Sequence, residues 1–149
     1  MPWLQTVHFG LLEYTAESTL DFSDGLPGFE SEHSFVLVER PAHHPFVFLQ
    51  SVNTPQLCFP ALPAQVVEAG YQPQLAEHDL ELLGFSEQPR IGDDAVVLVV
   101  IAMHEQNPTA NLLAPLVINL STRAAAQCID PGMRHSHRHP LRPVLEAES

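Results

Sequence analysis

Lysine is absent from this 149-residue chain, and its six cationic side chains are Arg40, Arg90, Arg123, Arg134, Arg138 and Arg142. Without a lysine there is no P-loop. The seven glycines form neither a phosphate-cradling loop nor a dinucleotide fingerprint, and no GxSxG elbow is present. Cysteine is scarce as well. Cys58 and Cys128 each sit in an apolar run with no partner at short spacing, which excludes a CxxC zinc ribbon or redox motif and implies buried free thiols. Long hydrophobic runs are also lacking. The longest, residues 95–103, falls far short of a membrane span. The first residues lack both the basic region and the apolar core of a secretory signal, so a cytoplasmic location is expected.

Acidic residues are plentiful. The formal net charge is −12, and it is unevenly spread. Residues 1–122 carry 15 acids against two arginines, whereas residues 123–149 carry four arginines against three acids. An acidic surface repels phosphate backbones and attracts basic proteins, so direct nucleic-acid binding is disfavoured. Keeping the protein soluble is the plainer role of such charge.

Fourteen prolines scattered along the chain cut it into short segments, which disfavours a helical bundle and suits a mainly β domain. Strands are expected over residues 7–14, 18–22, 35–38, 46–51, 116–120 and 125–129. Residues 57–67, interrupted by Pro60 and Pro63, suggest an irregular or edge strand. Asp93 and Asp94 lead into residues 95–103, whose β-branched continuity marks a central strand buried on both faces. Leu75, Leu80, Leu82 and Leu83 interleaved with acids predict one short helix, stopped at Gly84. A single domain covering residues 1–149 is expected, ordered over about residues 5–142, with a frayed tail.

Nine histidines raise the question of a metal. His135, His137 and His139 would share one face of an extended segment, and imidazole suits zinc, copper or nickel. The segment lies among arginines near a terminus, where solvated histidines are the simpler reading. His43 and His44 are adjacent and point apart on extended chain, and His104-Glu105 does not continue into HExxH. A small β-barrel metal-binding protein or enzyme using this histidine-rich end is the alternative to a purely protein-binding role.

Three segments, taken together and in order, resemble the flagellar assembly factor FliW family. Phe22-Ser23-Asp24-Gly25-Leu26-Pro27-Gly28-Phe29-Glu30 is similar to its F-x-x-G-L-P-G-F-E, and Phe48-Leu49-Gln50-Ser51 to its L-Q-S strand. Ala110-Asn111-Leu112-Leu113-Ala114-Pro115-Leu116-Val117-Ile118-Asn119 resembles its A-N-L-x-A-P-I-V-I-N. Ala125 and Ala126 stand where the family usually has a glycine, and His135 where it has a tyrosine, while Arg138 and Leu141 are kept.

The resemblance implies a small, mainly β, antiparallel barrel-like domain with one or two short helices, no catalysis, no cofactor and no bound metal. It implies two protein partners: flagellin, bound in chaperone-like fashion, and the translational repressor CsrA, whose capture relieves repression of flagellin synthesis. Within that frame Gly25, Leu26, Pro27, Gly28, Phe29 and Pro115 shape the fold. Gln50, Ser51, Asn111, Asn119 and Arg138, with the acids Glu30, Glu32, Asp93 and Asp94, are candidates for contact with partners. For the polar residues beside apolar runs, capping turns and satisfying buried backbone is the simpler role.

Overall fold

A computed structural model describes residues 3–15, 18–26, 29–71, 73–104, 107–110, 114–128 and 139–140. Asn111, Arg138, Pro27, Gly28, His135, His137 and the tail after Arg142 therefore lie outside the described residues. Among the described residues there are eleven strands: β1 (Trp3–Thr6), β2 (Gly10–Glu13), β3 (Thr19–Phe22), β4 (Ser34–Glu39), β5 (Val47–Ser51), β6 (Cys58–Pro63), β7 (Ala95–His104), β8 (Asn107–Ala110), β9 (Leu116–Asn119), β10 (Ala124–Gln127) and β11 (His139–Pro140). Two helices, α1 (Ala64–Val67) and α2 (Glu77–Leu83), lie between β6 and β7.

Seven strands close into a barrel in the order β7-β6-β5-β4-β3-β10-β9, shut by a second pairing of β9 with β7. Every ladder is antiparallel except that between β3 and β10. Strand β7 is long enough to serve two partners: Ala95 to Leu98 pair with β9, and Ile101 to His104 with β8, which carries β11 on its other edge. Closure leaves no free edge around the barrel itself.

Because strand side chains alternate, each barrel strand supplies an inner and an outer set. Leu20, Phe22, Phe35, Leu49, Ala61, Leu98, Leu116, Ile118 and Ala125 fill the interior. Leu62, Val97, Val99, Ile101, Val117 and Ala126 point outward yet are buried, because α1, α2 and the segment joining them cover them with Val67, Tyr71, Leu75 and Leu83. That cover is why β7 reads as an unbroken apolar run. Each fully buried side chain of this size stabilises the fold by about 1.5–3 kcal/mol.

The helix expected after Leu75 forms as α2. Gly84 ends it with φ +83°, and the Gly84 and Phe85 N–H groups return to Glu81 and Leu80 carbonyls, the Schellman arrangement. Its lead-in is held by Gln88, whose amide oxygen accepts from the Leu75 N–H at 3.0 Å while its Nε2 donates to the Leu75 carbonyl at 2.9 Å.

Two expectations need correction. Residues 7–14 are not one strand: β1 and β2 form a hairpin with its turn at residues 7–9. Gly10 takes φ +65°, and Thr6 Oγ1 both donates to the Gly10 carbonyl (2.8 Å) and accepts from the Phe9 N–H (2.9 Å), which closes the turn. Strand β6 is internal, not an edge. It tolerates its prolines because its two neighbours barely overlap along it. Pro60 is registered only with Phe48 of β5, and Pro63 only with Leu98 of β7. The chain then turns into α1, which the sequence pattern does not announce.

The hairpin lies on the outer face of β4 and β5. Leu4, with Phe9 and Leu12 beside it, packs on Val36, Val38 and Phe48. The Val7 N–H donates to the Pro55 carbonyl at 3.0 Å, tying the hairpin turn to the β5–β6 loop.

Candidate protein-binding surface

The glycine-rich turn after β3 builds the first part of the surface. Gly25 has φ +68°, and a Cβ there would stand 2.6 Å from the Glu30 carbonyl oxygen, so only glycine fits. Leu26 and Phe29 bridge the turn through paired backbone hydrogen bonds of 3.3 and 2.7 Å. Leu26 is buried, while Phe29 stays 40% exposed and rests edge-on against Phe59, their centroids 5.3 Å apart. Glu30 is exposed beside it.

Below this turn lies a concavity of about 300 Å³, lined by Asp24, Glu30, Asp79, Leu82, Ala126 and Gln127 among others. Three carboxylates here line one hollow. Asp79 acts on Cys128 as well. Burial first, then the Asp79 charge and hydrogen bond, push that thiol up to about 12. Burial alone pushes Cys58 up to about 11. Both remain protonated thiols at neutral pH, poor nucleophiles and poor metal ligands.

Glu32 is the clearest correction among the candidate acids. It is only 9% exposed, not a solvent-facing acid. Its carboxylate accepts from Ser51 Oγ at 2.8 Å and from the Thr54 hydroxyl. Ser51 Oγ in turn accepts from the Asn53 and Thr54 N–H groups at 3.2 and 3.0 Å. Gln50, fully buried, spreads its Nε2 over the carbonyls of Ser51 (3.1 Å), Thr54 (3.4 Å) and Pro55 (3.2 Å). These residues hold the β5–β6 loop against the turn that ends in Glu32. A side-chain clamp of this kind is invisible without the register that brings residues 32 and 51 together.

Asn119 is likewise buried and structural. Its Nδ2 donates to the Leu83 carbonyl at 2.8 Å, tying β9 to the end of α2, and its Oδ1 accepts from the Ser121 N–H at 2.9 Å. Pro115 stands just before β9, and its carbonyl accepts from the Cys128 N–H at 2.8 Å. Asp93 and Asp94 are exposed in the turn before β7, where Asp94 Oδ2 accepts from the Arg90 N–H at 2.9 Å. They are not among the residues lining the acidic concavity. Thus Glu30, Asp93 and Asp94 are the proposed contact acids that face solvent. Asp24 and Asp79, which sequence reasoning passed over, join Glu30 only through the fold.

Among the described residues, no group of three or more histidines, cysteines or carboxylates is placed to hold a metal ion, and no helix is long and apolar enough to cross a membrane.

Comparison with known proteins adds the family. Residues 3–141 match the family model described as FliW protein. The chain is 32% identical over 141 residues to the flagellar assembly factor FliW of Bdellovibrio bacteriovorus, covering 93% of this chain and 78% of that protein. It is 31% identical over 140 residues to the factor of the same name from Caldanaerobacter subterraneus, covering 93% and 91%. A crystal structure of the flagellar assembly factor FliW superposes with TM-score 0.82 at 32% identity, covering 95% of this chain and 98% of that one. With the barrel, the glycine turn and this match along nearly its whole length, the chain belongs to the FliW family of flagellar assembly factors.

Proposed function

We propose that the protein acts in the cytoplasm as a flagellar assembly factor that works by binding other proteins, without a cofactor. In this reading it holds flagellin as a chaperone-like partner and captures CsrA, relieving repression of flagellin translation. Family membership supports the role in flagellar assembly, and the charge distribution supports the kind of partner. A translational repressor that grips RNA must present basic residues, and residues 1–122 of this chain carry 15 acids against two arginines. The hollow lined by Asp24, Glu30 and Asp79 is the observation that carries the reading, since it concentrates that charge beside the half-exposed Phe29. Opposite fields steer and select the encounter, and an apolar anchor beside them adds to affinity. If the two partners compete for the domain or are negatively coupled through it, the supply of one sets the free fraction available to the other.

The test is a pull-down with purified flagellin and, separately, with CsrA. Both are expected to be retained, and retention of CsrA is expected to weaken as salt rises. Folded protein that retains neither contradicts the proposal.

A further inference from the structure

Among the described residues, a small region that is poor in acids stands out against the acidic body. Residues 1–122 contain only two arginines, and one of them, Arg40, lies at the turn after β4 with His43 and His44, all three exposed. The hairpin turn brings His8 to the same place, because His8, Phe9, His43, Phe48, Cys58 and Pro60 line a single cavity of about 300 Å³. On the other side of the turn a second hollow of about 550 Å³ includes Arg40, His44 and Phe46 in its lining. Glu39 is the one carboxylate among the residues lining either space.

The smaller cavity has an apolar floor. Phe48, Pro60 and Cys58 come from the outer faces of β5 and β6, and Phe9 closes over them edge-on to Phe48 with centroids 5.4 Å apart. His43 meets the same Phe48 ring at 5.5 Å and 83°. The Arg40 guanidinium stacks 5.3 Å above the Phe9 ring, which holds its planar fork near the rim. The imidazoles of His8 and His43 add N–H donors at the cavity. Beside it, the hairpin exposes Val7 and Leu11, each more than 60% accessible. An apolar socket with cationic and N–H donors at its edge complements an apolar side chain that has a carboxylate next to it.

We propose that this patch docks an acidic–apolar peptide segment of a partner protein. One aromatic or aliphatic side chain enters the cavity over Phe48 and Pro60, and a neighbouring carboxylate meets Arg40. The overall charge of −12 does not forbid this. Charges beyond the Debye length, about 8 Å at 0.15 M salt, are largely screened, so the local rim decides. The site is separate from the acidic hollow in composition, with Arg40 and three imidazoles against the single carboxylate of Glu39, and it stands whether or not CsrA and flagellin prove to be the partners. One domain would then present two surfaces of opposite preference.

The probe is a fluorescein-labelled decapeptide with a central phenylalanine flanked on each side by two glutamates, followed by anisotropy at 0.15 M salt. Saturable binding with a Kd on the order of 100 µM is expected. Alanine in place of the peptide's phenylalanine is expected to weaken it about tenfold, and Arg40→Glu or His43→Glu by at least as much. Circular dichroism checks that each variant is folded. Cys58→Leu, which fills the cavity without touching the charged rim, is expected to weaken binding by itself. No saturable binding by the folded wild type overturns the proposal. So does binding that ignores the peptide's phenylalanine or survives Arg40→Glu.

Discussion

On the outer face of β7, β9 and β10 the chain lays α1, α2 and their connection, burying Val67, Tyr71, Leu75 and Leu83. On the outer face of β4 and β5 it lays only a two-stranded hairpin, in which Leu4 is buried while Trp3 and Leu11 stay 56% and 61% exposed. The difference separates two jobs. A helical cover excludes water from one side of the barrel and contributes most to stability there. A hairpin cover leaves apolar side chains and a cavity open to solvent, and so leaves material for recognition. Between them sits a polar device: Glu32, Ser51, Thr54 and Gln50 fasten the glycine turn to the loop that also anchors the hairpin.

The sharpest test of this contrast is Leu83→Ala. Leu83 is 1% exposed between α2 and the barrel, so its loss removes burial and leaves a cavity. Urea unfolding is expected to show a loss of about 3–4 kcal/mol, within the range for buried leucines. A loss below about 1 kcal/mol would mean that the helical cover is not where stability resides.

Glu32→Ala comes next. It leaves two buried or half-buried hydroxyls without their acceptor, and about 2 kcal/mol of destabilisation is expected in the same unfolding assay. Glu32→Gln keeps one acceptor oxygen and is expected to cost less. Gly25→Ala should follow at about 1–3 kcal/mol, because its φ of +68° and the nearby Glu30 carbonyl both resist a Cβ. Equal stability of Gly25→Ala and wild type would contradict the turn geometry.

The two thiols report on the two covers. Cys58 lines the cavity on the hairpin side, whereas Cys128 is buried in the helical-side cluster. A disulfide reagent at pH 8 is expected to modify Cys58 first and Cys128 only on unfolding; the reverse order would exchange their environments. Both thiols titrate above their ordinary value of 9.0 in the folded state, to about 11 and about 12. The folded protein therefore holds these protons more tightly than the unfolded chain. That contribution is complete below pH 9.0 and is lost as pH rises toward about 12. The urea midpoint should fall over this window, and it should fall less in Cys128→Ala. Smallest of all is Leu11→Ala, expected within about 0.5 kcal/mol of wild type because the side chain already faces water.

Much of the barrel was legible in the sequence because its physics is local. The β-branched run over residues 95–101 reads as a strand covered on both faces, although Ala102 beyond it is exposed, and the leucines before Gly84 read as a helix face laid against something apolar. The glycine turn was readable because Gly25 must be glycine. What stayed hidden depended on neighbours. The hairpin needed Thr6 to bond across to Gly10, β6 needed the short overlap of its two ladders, and the parallel β3–β10 seam joins residues a hundred positions apart. The site divides the same way. Glu30 was rightly placed on the surface, but Glu32 two residues later is turned inward by Ser51 and Thr54, and Asp79 reaches the hollow only because α2 docks against β10.

Under the proposed function, the acidic hollow beside Phe29 is the surface that binds a protein partner. Isothermal titration of CsrA into wild type and into the double variant Asp24→Asn with Glu30→Gln addresses it most directly. The variant, equally folded, is expected to bind about tenfold more weakly and with a shallower dependence on salt. Unchanged affinity and an unchanged salt slope would contradict it.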